Sequence, residues 1–122
     1  MIEQIKSSEI KKFIEKNPKT VLLDVRTEDE WNSVGKPISD SLGIKTFFIT
    51  ISQDPGFIEN VKKEINKENK VLVMCAAGGR SILAASLLQN EGYDAHNVAD
   101  GFSGNGQDPG WKNFGLPSSS KT

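Results

Sequence analysis

The 122-residue sequence contains a single cysteine and a single histidine. One cysteine cannot form an internal disulfide, and one cysteine with one histidine cannot supply the three or four soft ligands of a typical zinc site. We therefore expect neither a disulfide nor a metal site, and no cofactor. The N-terminus also lacks the basic-then-apolar order of a secretory signal, so a reducing cytoplasm is the expected location.

An excess of one charge and long apolar runs are missing as well. The chain has 15 basic and 16 acidic residues, which gives no reason to expect nucleic acid or an anionic membrane as a partner. Its apolar runs are far shorter than the ~20 residues that cross a bilayer. We predict one soluble domain over residues 1–117 and a disordered Ser/Lys/Thr tail at residues 118–122. The oligomeric state stays open.

Strand-like apolar runs alternate with helix-like segments along the chain. The run at residues 20–25 is apolar without alternation, which is typical of a strand covered on both faces. The sequence thus predicts an α/β fold with a central, mostly parallel sheet and helices on both faces. Thr27 and Glu30 have the spacing of a capping box at a helix start. Further strands are predicted at residues 44–51, 70–74 and 95–98, helices at 7–17, 27–34, 57–67 and 81–89, and turns at 54–56 and 101–110.

The only cysteine stands where the apolar run at residues 71–74 ends and a loop of small residues opens toward a helix. Such a loop leaves backbone N–H groups without helical partners, and these groups can converge on an anion. Gly78 and Gly79 can take the positive φ that an inward-curled loop requires. With Arg80 as a nearby cation, the loop is expected to lower the pKa of Cys75 and stabilise its reactive thiolate. The alternative is a small, buried and unreactive cysteine.

Five other side chains have weaker claims to a functional role. Asp24 and Arg26 end the first long strand near the same sheet edge as the cysteine. We interpret them mainly as loop anchors, with substrate contact as the alternative. His96 could pair with the cysteine as a base, although a surface or hydrogen-bonded histidine is the favoured interpretation. Trp31 and Trp111 are interpreted as packing residues.

Three segments of the chain resemble the signature segments of rhodanese-like domains, the single-domain sulfurtransferases. Residues 22–31, Leu-Leu-Asp-Val-Arg-Thr-Glu-Asp-Glu-Trp, look like the first signature, and residues 71–81 look like the active-site strand, loop and helix start. Residues 92–104 resemble the closing strand and its glycine-containing turn. The likeness follows the family's order over roughly residues 5–116, and so it implies the rhodanese-like fold.

This resemblance implies that Cys75 is the catalytic nucleophile of a rhodanese-type (thiosulfate) sulfurtransferase. Cys75 would accept a sulfane sulfur from thiosulfate or another persulfide source, become a persulfide, and pass the sulfur to cyanide or a thiol. Arg80 would help to hold an anionic donor. The implied partners are a small-molecule or protein sulfur donor and a thiol acceptor. The implied substrate-binding residues are Ala76, Ala77, Gly78, Gly79, Arg80 and Ser81, with Asp24 and Arg26 as supporting candidates.

Three alternatives to sulfur transfer stay open. Related phosphatases also use a cysteine loop that ends in arginine, but their loop holds one residue more than the four between Cys75 and Arg80. A non-catalytic partner-binding module typically lacks the cysteine, and a redox sensor typically has a resolving cysteine, which this chain lacks. The loop residues 76–79 carry no charge, which argues less for thiosulfate than for other sulfane donors. Residues 36–42 depart from the family pattern, so the backbone of residues 35–43 is not predicted.

Overall fold

The computed structural model describes residues 2–52 and 56–119, and a parallel sheet lies at their centre. Its strands are β1 (Glu3–Ile5), β2 (Thr20–Asp24), β3 (Lys45–Phe48), β4 (Lys70–Met74) and β5 (Asp94–Val98). They lie in the order β1-β5-β4-β2-β3, and each neighbouring pair is parallel. The predicted α/β fold class with a parallel sheet is therefore confirmed.

Helices connect the strands. They are α1 (Ile10–Lys16), α2 (Glu28–Ser33), α3 (Gly56–Glu64), α4 (Gly79–Asn90) and α5 (Gly110–Phe114), with 3-10 turns at Ser7–Glu9 and Asp40–Leu42. The predicted capping box is present at the start of α2, because the Thr27 side chain accepts from the Glu30 N–H and the Glu30 carboxylate accepts from the Thr27 N–H. Among the described residues, no helix has both the length and the apolar character needed to span a membrane.

Alternate side chains of the central strands pack on opposite faces of the sheet. In β4, Val71 and Val73 join one buried cluster with α3 and α4, whereas Leu72 and Met74 join a second cluster with α1 and α5. Burying a side chain of this size contributes about 1.5–3 kcal/mol. The prediction of helices on both faces is therefore confirmed, and the loops at the carboxyl ends of the strands are left as the place where a site can form.

Two short elements were not predicted, and two others are shorter than predicted. β1 has three residues at the sheet edge, too few to show an apolar pattern. The helix α5 follows a glycine-rich stretch, and its first residue, Gly110, has a φ of +87° and donates its N–H to the buried Asp100 carboxylate at 2.9 Å. The start of α5 is therefore fixed by a contact with Asp100 rather than by a local capping pattern, which is why the sequence did not predict this helix. The predicted strand at 44–51 ends at Phe48, and the predicted helix at 57–67 ends at Glu64.

The C-terminal segment packs against the loop that follows α2. The Ser119 N–H donates to the Lys36 carbonyl at 2.8 Å, and Pro37 and Ser118 form an antiparallel bridge. A Cβ on Gly35, whose φ is +118°, would lie 2.4 Å from the Ser119 carbonyl oxygen. Ser118 and Ser119 thus pack with the domain, although a disordered tail was predicted from residue 118. The rest of that tail, residues 120–122, lies outside the described residues, as do residues 54–55 of the predicted turn.

Both tryptophans pack against the domain, as expected. Trp111 is fully buried, and its Nε1–H donates to the Pro117 carbonyl at 2.7 Å. Trp31 is half-buried and meets the Phe48 ring edge-on, with 5.3 Å between the ring centroids. Trp111 therefore belongs to the core and Trp31 to its rim.

Candidate active site

The loop after β4 surrounds the Cys75 sulfur with backbone N–H groups. Its shape is held from outside, because the Phe102 N–H donates to the Cys75 carbonyl at 2.8 Å and the Ser103 N–H donates to the Ala76 carbonyl at 2.9 Å. In a trans peptide the carbonyl and the next N–H point in opposite directions. The outward Ala76 carbonyl therefore turns the next N–H, that of Ala77, toward the sulfur, where the Gly78 and Ser81 N–H groups join it.

The Cys75 sulfur is buried but hydrogen-bonded. The residue is 1% exposed, the Gly78 N–H lies 3.1 Å from the sulfur, and the Ser81 hydroxyl oxygen lies 3.3 Å from it. Burial is the largest single effect and raises the pKa of Cys75. The hydrogen bonds of the Ser81 hydroxyl and of the Ser81, Gly78 and Ala77 N–H groups together outweigh burial, so the pKa of Cys75 is lowered. The site thus stabilises the thiolate, which is the nucleophilic form.

The two loop glycines have different conformational roles. Gly78 has a φ of +103°, and a Cβ there would lie 2.3 Å from the Ala99 carbonyl oxygen. Gly79 begins α4, has no positive φ, and has open space where a Cβ would stand. The prediction of a left-handed backbone is therefore confirmed for Gly78 and wrong for Gly79, because α4 starts at Gly79, two residues before the predicted helix start at Ser81.

The Arg80 guanidinium pairs with a carboxylate of α2. Its Nη1 and Nη2 atoms donate to the two carboxylate oxygens of Glu30 at 2.7 and 2.8 Å. The Arg80 hydrogen bond is the main reason that the pKa of Glu30 falls to about 2. The pKa of Arg80 is raised, mainly by the Glu30 hydrogen bond and less by attraction to Cys75. Arg80 is therefore near the sulfur, as predicted, but its charge is balanced by a carboxylate that the sequence analysis assigned only to helix capping.

A buried amide connects the sulfur loop, residues 75–78 between β4 and α4, to β5 and β1. Asn97 is 1% exposed, and its Nδ2 donates to the Gly78 carbonyl at 3.1 Å and to the Gln4 Oε1 at 2.8 Å. Its Oδ1 accepts a hydrogen bond from the Ser81 hydroxyl. The sequence analysis missed Asn97 and Gln4. A signal was present for Asn97, because an amide inside a predicted buried strand needs hydrogen-bond partners.

Asp24 and Arg26 form a fully buried ion pair. The Arg26 Nη2 lies 2.9 Å from the Asp24 carboxylate and 2.8 Å from the Gly35 carbonyl oxygen. The guanidinium also stacks on the Phe102 ring, 4.1 Å from its centroid. These contacts agree with the interpretation of both residues as loop anchors. They also support the site indirectly, since Phe102 donates its N–H to the Cys75 carbonyl.

His96 lies in the middle of β5 and does not face the cysteine. It pairs in register with Leu72, three residues before Cys75, on the face of the sheet that packs with α1. Its two ring nitrogens lie 2.7 and 2.8 Å from carboxylate oxygens of Glu3 and Asp94. A role as the base for Cys75 is therefore wrong, and the favoured interpretation as a histidine held by polar neighbours agrees with the structure.

A family model of the rhodanese-like domain matches residues 7–107. The chain belongs to the rhodanese-like family. This rhodanese-like domain is 35% identical over 120 residues to the uncharacterized protein RP600 of Rickettsia prowazekii, covering 96% of this chain and 97% of that protein. It matches the crystal structure of Rv0390 from M. tuberculosis with a TM-score of 0.82 at 30% identity, over 96% of each chain. The polysulfide-sulfur transferase homodimer of Wolinella succinogenes shares the rhodanese-like fold, with a TM-score of 0.71 at 24% identity, over 99% of this chain and 80% of that one.

Proposed function

We propose that this rhodanese-like domain is a sulfurtransferase that carries sulfane sulfur as a Cys75 persulfide. The observation that carries the proposal is a buried thiol that accepts hydrogen bonds from the Gly78 N–H and the Ser81 hydroxyl, and these bonds lower its pKa. The thiolate attacks the outer sulfur of a donor R–S–SH, so that a new S–S bond forms and the donor's S–S bond breaks. The donor leaves as the thiolate R–S⁻, and Cys75 becomes Cys–S–SH. No external oxidant is needed.

The loaded cysteine then delivers its outer sulfur to an acceptor. A deprotonated persulfide places its negative charge one atom further out, where the loop N–H groups can still stabilise it. The acceptor thiolate or cyanide attacks that outer sulfur and returns Cys75 to the thiolate. The chain has no second cysteine, so the acceptor must be another molecule. A reducing compartment such as the cytoplasm supplies thiols of this kind.

The charge around the loop favours persulfide donors over thiosulfate. Ala76, Ala77 and Gly78 carry no charged side chain, and Arg80 is paired with Glu30. A dianion such as thiosulfate would therefore meet N–H groups but a largely neutralised cation. A small-molecule or protein persulfide does not require that cation, and we propose it as the better donor.

Intact mass spectrometry tests the proposal directly. Wild-type protein mixed with glutathione persulfide or thiosulfate is expected to gain the mass of one sulfur atom and to lose it to cyanide. The C75S variant is the matched control and is expected to gain nothing. A mass gain that cyanide and dithiothreitol leave in place would indicate irreversible oxidation instead. Failure of every sulfane donor to load Cys75, together with release of phosphate from an aryl phosphate, would overturn the assignment in favour of a phosphatase.

A redox sensor is the second candidate, because a lowered thiol pKa also favours oxidation. The two functions differ in their products. A sensor would give a sulfenic acid with peroxide, or a mixed disulfide with glutathione, faster than it gives a persulfide with a sulfane donor. Comparing the three rates at one pH decides between them.

A further inference from the structure

The Ser81 hydroxyl stands between two hydrogen-bond acceptors. Its oxygen lies 3.3 Å from the Cys75 sulfur and is also hydrogen-bonded to the Oδ1 atom of Asn97. Both Ser81 and Asn97 are almost completely buried, at 0% and 1% exposed. A serine hydroxyl has one proton, so it can donate to only one of these acceptors at a time.

The orientation of the Asn97 amide follows from its other contacts. The Gly78 carbonyl, 3.1 Å away, can only accept, so the atom of Asn97 facing it must be the nitrogen. The oxygen of Asn97 therefore faces Ser81. Because this oxygen can only accept, the contact between Asn97 and Ser81 uses the single proton of the hydroxyl.

We infer that Asn97 is a positioning residue that holds the Ser81 proton whenever the inner sulfur of Cys75 carries no charge. In the thiolate, Ser81 donates to the sulfur and leaves Asn97. In the neutral thiol, the S–H donates to Ser81, and Ser81 donates to Asn97. In the persulfide the charge moves to the outer sulfur, and the Ser81 proton returns to Asn97. The last step rests on the proposed function, whereas the first two do not.

This switch affects the balance between empty and loaded enzyme. Without the Asn97 oxygen, the buried Ser81 hydroxyl has a good acceptor only in the thiolate, and a buried donor without an acceptor is unfavourable. Asn97 therefore stabilises both the thiol and the persulfide relative to the bare thiolate. Its removal is expected to lower the pKa of Cys75 and to reduce the loaded fraction.

A double-mutant cycle tests the inference through the thiol itself. The pH dependence of Cys75 alkylation is measured for wild type, Asn97→Leu, Ser81→Ala and the double variant. Asn97→Leu is expected to lower the midpoint by about 0.5–1 pH unit in the wild-type background. The shift should disappear when Ser81 is absent, because the effect passes through its hydroxyl. Loss of the Gly78 contact is common to both backgrounds and cancels in the cycle.

A second variant keeps the test decisive if Asn97→Leu does not fold. Asn97→Asp retains an acceptor facing Ser81 and strengthens it with a charge, so it is expected to raise the alkylation midpoint, the opposite direction. Direct repulsion between the new carboxylate and the thiolate supplies part of this rise without Ser81, so the rise should be smaller, though not zero, when Ser81 is replaced by alanine. Two results would overturn the inference. One is a midpoint shift that is equal with and without Ser81 in either series, and the other is no shift when Asn97 is replaced in a protein that retains Ser81.

Loading measurements separate this inference from the proposed function. At a pH above the alkylation midpoint, where empty Cys75 is a thiolate, and at a fixed ratio of glutathione persulfide to glutathione, the loaded fraction of Asn97→Leu is expected to fall several-fold below wild type. In the Ser81→Ala background, Asn97→Leu is expected to leave the loaded fraction unchanged. Wild type that never loads, alongside the predicted alkylation shifts, would refute sulfur transfer and the persulfide step while leaving the thiol switch intact. Normal loading of Asn97→Leu would refute the persulfide step alone.

Discussion

Arg80 and Glu30 form a bidentate salt bridge, with nitrogen–oxygen distances of 2.7 and 2.8 Å, although they lie 50 positions apart in the sequence. Glu30 also accepts the Thr27 N–H of the capping box at the start of α2. One carboxylate therefore both caps a helix and neutralises the cation beside the sulfur loop. This pairing connects the first signature segment to the candidate active-site segment, and under the proposed function it bears on which donors the site accepts.

We expect Glu30→Gln to improve the use of thiosulfate. The substitution releases the Arg80 charge toward the loop, and kcat/KM for thiosulfate should rise about three- to tenfold at low ionic strength. Salt should reduce this gain. Glu28→Gln removes the same charge from the first turn of the same helix and serves as the control, with little expected change. Equal effects of the two variants would show that Arg80 and Glu30 do not set donor preference as a pair.

The same salt bridge should contribute to stability in a pH-dependent way. The pKa of Glu30 is lowered from 4.5 to about 2, so its contribution is fully present above pH 4.5 and is lost as the pH falls toward 2. Because the pair is partly exposed, we expect Glu30→Gln to lower the free energy of unfolding by at most about 1 kcal/mol at pH 6. Denaturant unfolding of both proteins at pH 6, 4 and 3 should show the difference shrinking. A constant difference would contradict the linkage.

The adjacent glycines provide a matched pair of substitutions. Gly78→Ala forces a side chain into a left-handed backbone and against the Ala99 carbonyl, so it should lower the free energy of unfolding by about 2 kcal/mol or more and raise the pKa of Cys75. Gly79→Ala should be neutral or stabilising by up to about 1 kcal/mol, since alanine is favoured in helices. Thermal unfolding and the pH dependence of alkylation check both. Similar losses in the two variants would contradict a special backbone requirement at Gly78.

Ser81→Ala should make Cys75 less acidic. It removes the hydroxyl bond that is the largest of the effects lowering the pKa of Cys75, so the midpoint of alkylation should move up by about one pH unit. At pH 7 less thiolate would be present and alkylation would be slower. Ser86→Ala in the same helix is the control, because its hydroxyl bonds to the Ile82 carbonyl rather than to the sulfur. An unchanged midpoint would exclude Ser81 as a thiolate donor.

The buried ion pair of Asp24 and Arg26 should be the most sensitive of the salt bridges to single substitutions. Arg26→Leu leaves a buried carboxylate without its partner and should lower the free energy of unfolding by about 3–5 kcal/mol. Replacing both residues with apolar ones should recover part of that loss. Lys62→Gln, which breaks an exposed pair with Glu91, should have no measurable effect. Denaturant midpoints compare the three, and comparable losses would argue against burial as the deciding factor.

Local patterns predicted the parts of the site that lie within one segment. The apolar run, the single cysteine and the small residues after it indicated a strand, a nucleophile and an anion-binding loop, and the capping box of Thr27 and Glu30 was readable from its spacing. Each of these depends on hydrogen bonds or periodicities between residues a few positions apart. The sequence did not predict the three-residue β1 or the five-residue α5, because elements of that length are stabilised mainly by their neighbours in the fold.

The sequence by itself thus determined the fold class, the parallel sheet and the place of the only cysteine at the end of β4, since these follow from the order of apolar and small residues along the chain. Only the tertiary structure decided the electrostatics of that thiol. Glu30 reaches Arg80 and Asn97 reaches Ser81 because parallel strands bring distant segments to one edge of the sheet. The range of a hydrogen bond is about 3 Å, so partners are set by folded proximity, which spacing along the chain does not encode.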